Sequence, residues 1–278
     1  MPRRQRLRKL TLPVLPTMFT LANGVCGLGS ITLATNHTPG VSQTDLAFYA
    51  GLLVFLGMVF DVLDGYVARV TRQTSNFGKE LDSLCDMVTF GLAPVFIMLT
   101  FSDVFQRRLL WGIGVLYAVS AILRLARFNV EKNEHEATNF FRGLPTPAAA
   151  GVLASFAIAR PSLEQLADPL LAETTQELGV QLISITMVGV PLVTVALAWL
   201  MVSRIRYPHI ARELARRRSF SQLVEVVFAL VIAVTLHELA LPLLFCYFVF
   251  APPINQLRQR AIGHVPTREA PQMVKSEL

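Results

Sequence analysis

Residues 61–86 read DVLDGYVARVTRQTSNFGKELDSLCD, and four aspartates, Asp61, Asp64, Asp82 and Asp86, stand near the two ends of this stretch. The residues on either side are apolar enough to form membrane helices. An aspartate near the centre of such a helix costs roughly 2.5–3.5 kcal/mol. Four of them cost about 10 kcal/mol unless something compensates. A cluster of carboxylates is best compensated by divalent metal. On a helix turning about 100° per residue, Asp61, Asp64, Gly65, Ala68 and Arg69 share one face. Asp82 and Asp86 are four apart and share a face of the next helix, with Gly78 one turn before them. The turn between the helices centres near residue 73, so an antiparallel hairpin sets Asp61 level with Asp86 and Asp64 level with Asp82. The spacing therefore predicts a cage of hard oxygen ligands suited to Mg²⁺ or Mn²⁺. Gly65 and Ala68 leave room for a ligand to approach the backbone.

Composition agrees with a membrane setting. The 278 residues are 53% hydrophobic, with a mean hydropathy of +0.50. The net charge of +6 does not point to nucleic acid, because the basic residues gather at the ends of apolar runs instead of alternating with aromatics. The basic start runs into an apolar segment too long for a signal peptide. Cys26, Cys85 and Cys246 lie in apolar runs with no CxxC, and they read as small buried hydrophobes.

The expected fold is an all-α polytopic membrane bundle of about eight transmembrane helices with both termini in the cytoplasm. Residues 1–11 are a basic cytoplasmic start. Residues 12–203 form the helical core that carries the aspartates, with spans near 12–34, 46–69, 79–101, 109–127, 144–160 and 181–203. Residues 204–220 are a basic segment, read as an interfacial helix. Residues 221–254 hold two further spans, near 221–236 and 240–254, and residues 255–278 are a polar tail. This topology places 22 of the 25 Lys and Arg in or beside cytoplasmic segments, as the positive-inside rule asks. Arg107, Arg108 and Arg160 fall on the other side. The aspartate cage then lies just inside the cytoplasmic face, within reach of water-soluble molecules.

The pattern Asp61-x2-Asp64-Gly65-x2-Ala68-Arg69-x8-Gly78-x3-Asp82-x3-Asp86 resembles, at every position, the signature of the CDP-alcohol phosphatidyltransferases. Eight such identities coincide by chance about once in 10⁹ start positions. The resemblance implies two divalent ions, Mn²⁺ or Mg²⁺, with Asp61, Asp64 and Asp82 as ligands and Asp86 as both ligand and catalytic base. It implies Gly65, Arg69 and Ser75 as nucleotide and diphosphate contacts. Relatives carry Pro-Asn-x-x-Thr in the first span, and this chain keeps Pro16 and Thr20 but has Thr17 in place of the Asn. Thr20 is thereby a further nucleotide contact. Thr17, Thr20 and Asn23 also admit a simpler role, hydrogen bonding between helices.

Three other stretches, GKELDSLCDMVTFGLAP at 78–94, LRLARFNV at 123–130 and FFRGLPTPAAAG at 140–151, resemble the phosphatidylserine synthase branch of that family. The implied donor is CDP-diacylglycerol, the acceptor L-serine and the leaving group CMP, with a homodimer among membrane lipids as the assembly. Glycerol 3-phosphate or inositol phosphate is the alternative acceptor. The acceptor's anionic group needs a cation, and Arg124, Arg127 and Arg142 are the candidates; the sequence does not choose among them. An ion-coupled transporter is the reading from a different class, since intramembrane acids often mark ion paths. A transporter spreads its acids over several depths, whereas these gather at one end.

Overall fold

The computed structural model describes residues 14–36, 40–71, 76–134, 140–203, 205–208 and 237–261. Helix α1 (Val14–Thr35) lies beside α2 (Gln43–Thr71), which carries Asp61 and Asp64. Next comes α3 (Asn76–Asp86), which runs without a break into a π-helical turn (Met87–Leu92) and then α4 (Ala93–Leu99). Helices α5 (Arg107–Glu134), α6 (Thr146–Leu166), α7 (Glu173–Val202) and α8 (His237–Ala261) complete the described helices. A short antiparallel ribbon pairs β1 (Phe140–Arg142) with β2 (Arg206–Pro208), Phe141 opposite Tyr207.

Among the described residues, five helical stretches are long and apolar enough to cross a membrane: residues 17–35, 43–68, 77–99, 107–130 and 173–202. The fifth expected span, 144–160, forms as α6 but is not among them. Its place in the bundle explains this. Ala149, Ala150, Gly151, Val152, Leu153, Ala154, Ala157 and Ile158 are buried, packed against α2, α7 and α8. A helix enclosed by other helices needs small side chains for close approach more than it needs lipid-facing bulk. Gly51 of α2 shows how close: a Cβ there would lie 2.8 Å from the Ala154 carbonyl oxygen. The expected span 221–236 lies outside the described residues, and α8 carries only a shorter apolar run, Ala240–Ile254.

Three local expectations are corrected. Residues 206–208 form a strand, not the start of an interfacial helix; the remainder of 204–220 lies outside the described residues apart from Ile205. The ribbon is fixed by Gly143, whose φ of 84° is readily adopted only by glycine, and whose N–H donates to the Ile205 carbonyl at 2.8 Å. The fifth expected span does not stop near residue 160: α6 passes through Pro161 and ends at Leu166. Helix α7 then starts at Glu173, well before the expected residue 181.

The π turn lies just before Pro94 and meets a partner across the bundle. Phe90 would normally pass its carbonyl to the N–H of residue 94, but Pro94 has none. The hydroxyl of fully buried Tyr117 on α5 supplies the missing donor, at 3.2 Å from the Phe90 oxygen. The widened turn is marked by the Ala93 N–H bonding the Val88 carbonyl, five residues back. Such turns recur beside functional sites, and this one begins directly after Asp86.

Helix α1 meets the π turn through glycine. A Cβ on Gly27 would lie 2.7 Å from Thr89 Cα and 2.8 Å from its backbone nitrogen. Backbone cannot yield as a side-chain tip can. Gly27→Ala is therefore expected to destabilise the protein by about 1–3 kcal/mol, seen as a lower midpoint of thermal unfolding in detergent. Gly24→Ala meets the movable Cys85 Sγ at 2.9 Å and is expected to cost less. Equal midpoints for the two variants would contradict this packing.

At the opposite end of α2 from the aspartates, Arg160 and Glu164 of α6 form a second polar group. The Thr44 hydroxyl donates to Glu164 Oε1 at 2.6 Å and Arg160 Nε donates to the same oxygen at 3.3 Å. Arg160 Nη1 donates to the Thr100 carbonyl at 2.5 Å. These bonds tie α2, α4 and α6 together about 30 Å of helix away from Asp64.

Candidate active site

Helices α2 and α3 bring the aspartates together. One carboxylate oxygen from each of Asp61, Asp64 and Asp82 lies within 4.8 Å of the other two. Asp86 stands at the edge of this triad, with Asp61 and then Asp82 as its strongest carboxylate neighbours. Asp64 feels Asp82 most strongly among the carboxylates. Asp64 is buried, with 6% of its surface exposed, whereas Asp61, Asp82 and Asp86 are half-buried.

Helix α1 holds one carboxylate on each of the other two helices. The Thr20 hydroxyl hydrogen-bonds Asp64, and Asn23 Nδ2 donates to Asp86 Oδ1 at 2.9 Å. Thr20 and Asn23 are three apart and share a face of α1. Both are buried, Asn23 completely. Asn23 stands out in the sequence only as a polar residue on an apolar helix; its partner lies 63 residues away, beyond any local pattern. The structure thus gives Thr20 a carboxylate partner. Cys85 packs against Gly24.

The arginine candidates separate. Arg124, on α5, lies within electrostatic reach of Asp86 and Asp61. Its Nη1 donates to Thr146 Oγ1 at 2.5 Å, and its guanidinium sits 5.5 Å from the Phe128 ring centroid. Thr146 is completely buried in the first turn of α6, a partner that sequence reading did not identify. Arg127 is half-buried on the same helix. Arg142 lies on β1 opposite Arg206. Among the described residues, nothing lies within 4 Å of a Cβ built on Gly65. Ser75 and the side chain of Arg69 lie outside what the structure describes. Nearby, Asn129 Nδ2 donates to Ser83 Oγ at 2.9 Å, joining the end of α5 to the turn of α3 between Asp82 and Asp86.

The residues fit a divalent metal centre. The donors are all carboxylate oxygens, as hard cations require. Asp64 Oδ2 is buried with no hydrogen-bond partner among the described residues, and an orphaned buried carboxylate oxygen is costly unless a cation meets it. Arg124 beside the cage is the kind of cation that receives a carboxylate or phosphate.

Comparison with known proteins agrees with this geometry. Residues 13–202 match a family model described as CDP-alcohol phosphatidyltransferase. A protein of Helicobacter pylori (strain ATCC 700392 / 26695) named CDP-diacylglycerol--serine O-phosphatidyltransferase is 33% identical over 198 residues, covering 71% of this chain and 73% of the relative. A Bacillus subtilis (strain 168) protein of the same name is 31% identical over 203 residues, covering 72% and 93%. A third protein of that name, from Mycobacterium tuberculosis (strain ATCC 25618 / H37Rv), is 34% identical over 147 residues. That match covers 51% of this chain and 48% of the relative, so it spans about half of each.

Proposed function

Because this chain belongs to the CDP-alcohol phosphatidyltransferase family, we propose that it transfers the phosphatidyl group of CDP-diacylglycerol to L-serine, giving phosphatidylserine and CMP. It is a membrane-embedded transferase of phospholipid biosynthesis. The observation that carries the reading is the carboxylate triad with Asp86 on one side and the Thr146-anchored Arg124 within electrostatic reach.

Asp61, Asp64, Asp82 and Asp86 would hold divalent metal, two ions of Mn²⁺ or Mg²⁺, with Asp86 at the edge of the triad. Metal bound there would supply charge neutralisation of the diphosphate and a template for in-line displacement. Asp86 takes the proton of the serine hydroxyl. The serine oxygen bonds to the phosphorus that carries diacylglycerol, and the bond from that phosphorus to CMP breaks. Gly65 leaves the backbone open to the nucleotide, and Arg69 and Ser75 contact the diphosphate. Arg124 receives the serine carboxylate; Thr146 and Phe128 fix the guanidinium so that little freedom is lost on binding. The clustering of the acids at one depth favours this chemistry over ion transport.

The arrangement in the membrane is part of the proposal. Eight spans with both termini cytoplasmic put the cage at the cytoplasmic face, which the distribution of Lys and Arg supports. The working assembly is a homodimer.

The test is CMP release by the purified protein with CDP-diacylglycerol, Mn²⁺ or Mg²⁺, and serine, glycerol 3-phosphate or inositol phosphate in turn. Release with serine is expected. Release only with another alcohol would reject the acceptor, and none with any would reject the chemistry. Arg124→Gln is expected to raise KM for serine at least about 30-fold, because loss of one partner from a buried charge pair costs about 2–5 kcal/mol. An unchanged KM for serine would move the carboxylate contact to Arg127 or Arg142.

A further inference from the structure

The proton acceptor needs a fixed direction as well as a suitable position, and the residues that fix it come from α1. Asn23 is completely buried. Its Nδ2 reaches Asp86 Oδ1 at 2.9 Å, and its backbone carbonyl accepts from Thr89 Oγ1 at 2.8 Å. Asp86 and Thr89 are three residues apart on one continuous helical run. One residue of α1 therefore grips that run at two points, on either side of the start of the π turn.

The amide orientation follows from chemistry. An ionised carboxylate only accepts hydrogen bonds, so the NH₂ group must face Asp86. Asn23 Oδ1 then points away and has no hydrogen-bond partner. It lies against Gly57 of α2, where a Cβ would sit 2.9 Å from Oδ1 and 2.6 Å from Thr89 Cγ2. Leaving a buried carbonyl oxygen unpaired is costly. The structure accepts that cost while using the amide's donor on a carboxylate.

Resting on the reading of Asp86 as the base, we infer that Asn23 is a positioning residue for Asp86. Its amide occupies Oδ1 and thereby aims the second carboxylate oxygen at the reacting hydroxyl. An amide suits this role because it donates to the carboxylate without titrating. Thr20 does the equivalent for Asp64 one turn earlier, so α1 sets the gap between the two aspartate-bearing helices. Partners of this kind behind metal-site ligands typically contribute 10- to 100-fold to affinity or turnover.

The experiment compares Asn23→Leu with Ser30→Ala in the full chain. Ser30 is also completely buried on α1 and donates to the Ala50 carbonyl of α2 at 2.9 Å, but it lies about two turns beyond Asn23. Both variants lose one buried inter-helix bond; only one of them touches Asp86. Three quantities are read: kcat at saturating Mn²⁺, KM for CDP-diacylglycerol, and Mn²⁺ affinity of the substrate-free protein by electron paramagnetic resonance.

Asn23→Leu is expected to lower kcat by about 10- to 100-fold and Mn²⁺ affinity by about tenfold, with KM for CDP-diacylglycerol within about twofold. Ser30→Ala is expected to leave all three within about twofold. If Asn23→Leu does not fold, Asn23→Ser carries the same expectations. Equal losses in the Asn23 and Ser30 variants, or a kcat for Asn23→Leu close to that of the unaltered protein, would overturn the inference. Failure of the unaltered protein itself to bind Mn²⁺ would instead overturn the metal reading beneath it.

Discussion

Asp86→Asn is expected to lower CMP release from CDP-diacylglycerol and serine by more than about 10³-fold, the loss appropriate to a group that acts as both base and metal ligand. The substitution keeps size and shape. The new side chain still offers an oxygen to Asn23 Nδ2, which donates to Asp86 Oδ1 at 2.9 Å, so the local packing persists. What disappears is the negative charge and the ability to take a proton. Asp61, Asp64 and Asp82 remain as ligands, so CDP-diacylglycerol should still bind, at least in part. Single-turnover measurements separate the two effects: binding with little chemistry is the expected pattern. Near-normal turnover would show that another group accepts the proton.

Asp64→Asn should have effects of opposite sign on function and on the metal-free fold. Asp64 is the most buried carboxylate of the triad, and its Oδ2 has no hydrogen-bond partner among the described residues. Replacing it removes a ligand that no neighbour can supply. Mn²⁺ affinity should fall by about 10²-fold or more, with turnover at fixed Mn²⁺ falling in step. The metal-free protein, however, holds carboxylate oxygens within 4.8 Å of one another. At that distance two ionised carboxylates repel by about 3 kcal/mol at an effective dielectric of 20. Neutralising one should raise the midpoint of thermal unfolding without metal and abolish the further rise that Mn²⁺ gives the unaltered protein. A lower midpoint in the metal-free variant would mean that Asp64 serves the fold more than the ion.

The aspartate hairpin was legible because its information is local. The spacing of Asp61 and Asp64, and of Asp82 and Asp86, fixes a face on each helix, and an antiparallel turn does the rest. What escaped the sequence depends on distant partners. Asn23 is explained only by Asp86, and Thr146 only by Arg124. The strand at 206–208 exists because residues 140–142 pair with it; read alone, the basic run at 204–220 suggested an interfacial helix. The π turn needs Tyr117 to supply the donor that Pro94 lacks. Helix α6 shows the opposite failure of a local rule: Pro147, Arg160 and Pro161 make it less apolar than a lipid-facing span, yet other helices enclose it.

The central claim is that α2 and α3 hold divalent ions between their carboxylates. Crystals soaked in Mn²⁺ and measured at the manganese absorption edge give the most direct test. The account predicts anomalous density enclosed by Asp61, Asp64, Asp82 and Asp86, with Asn23 still on Asp86. Manganese bound elsewhere, with no density among these four side chains, would contradict it.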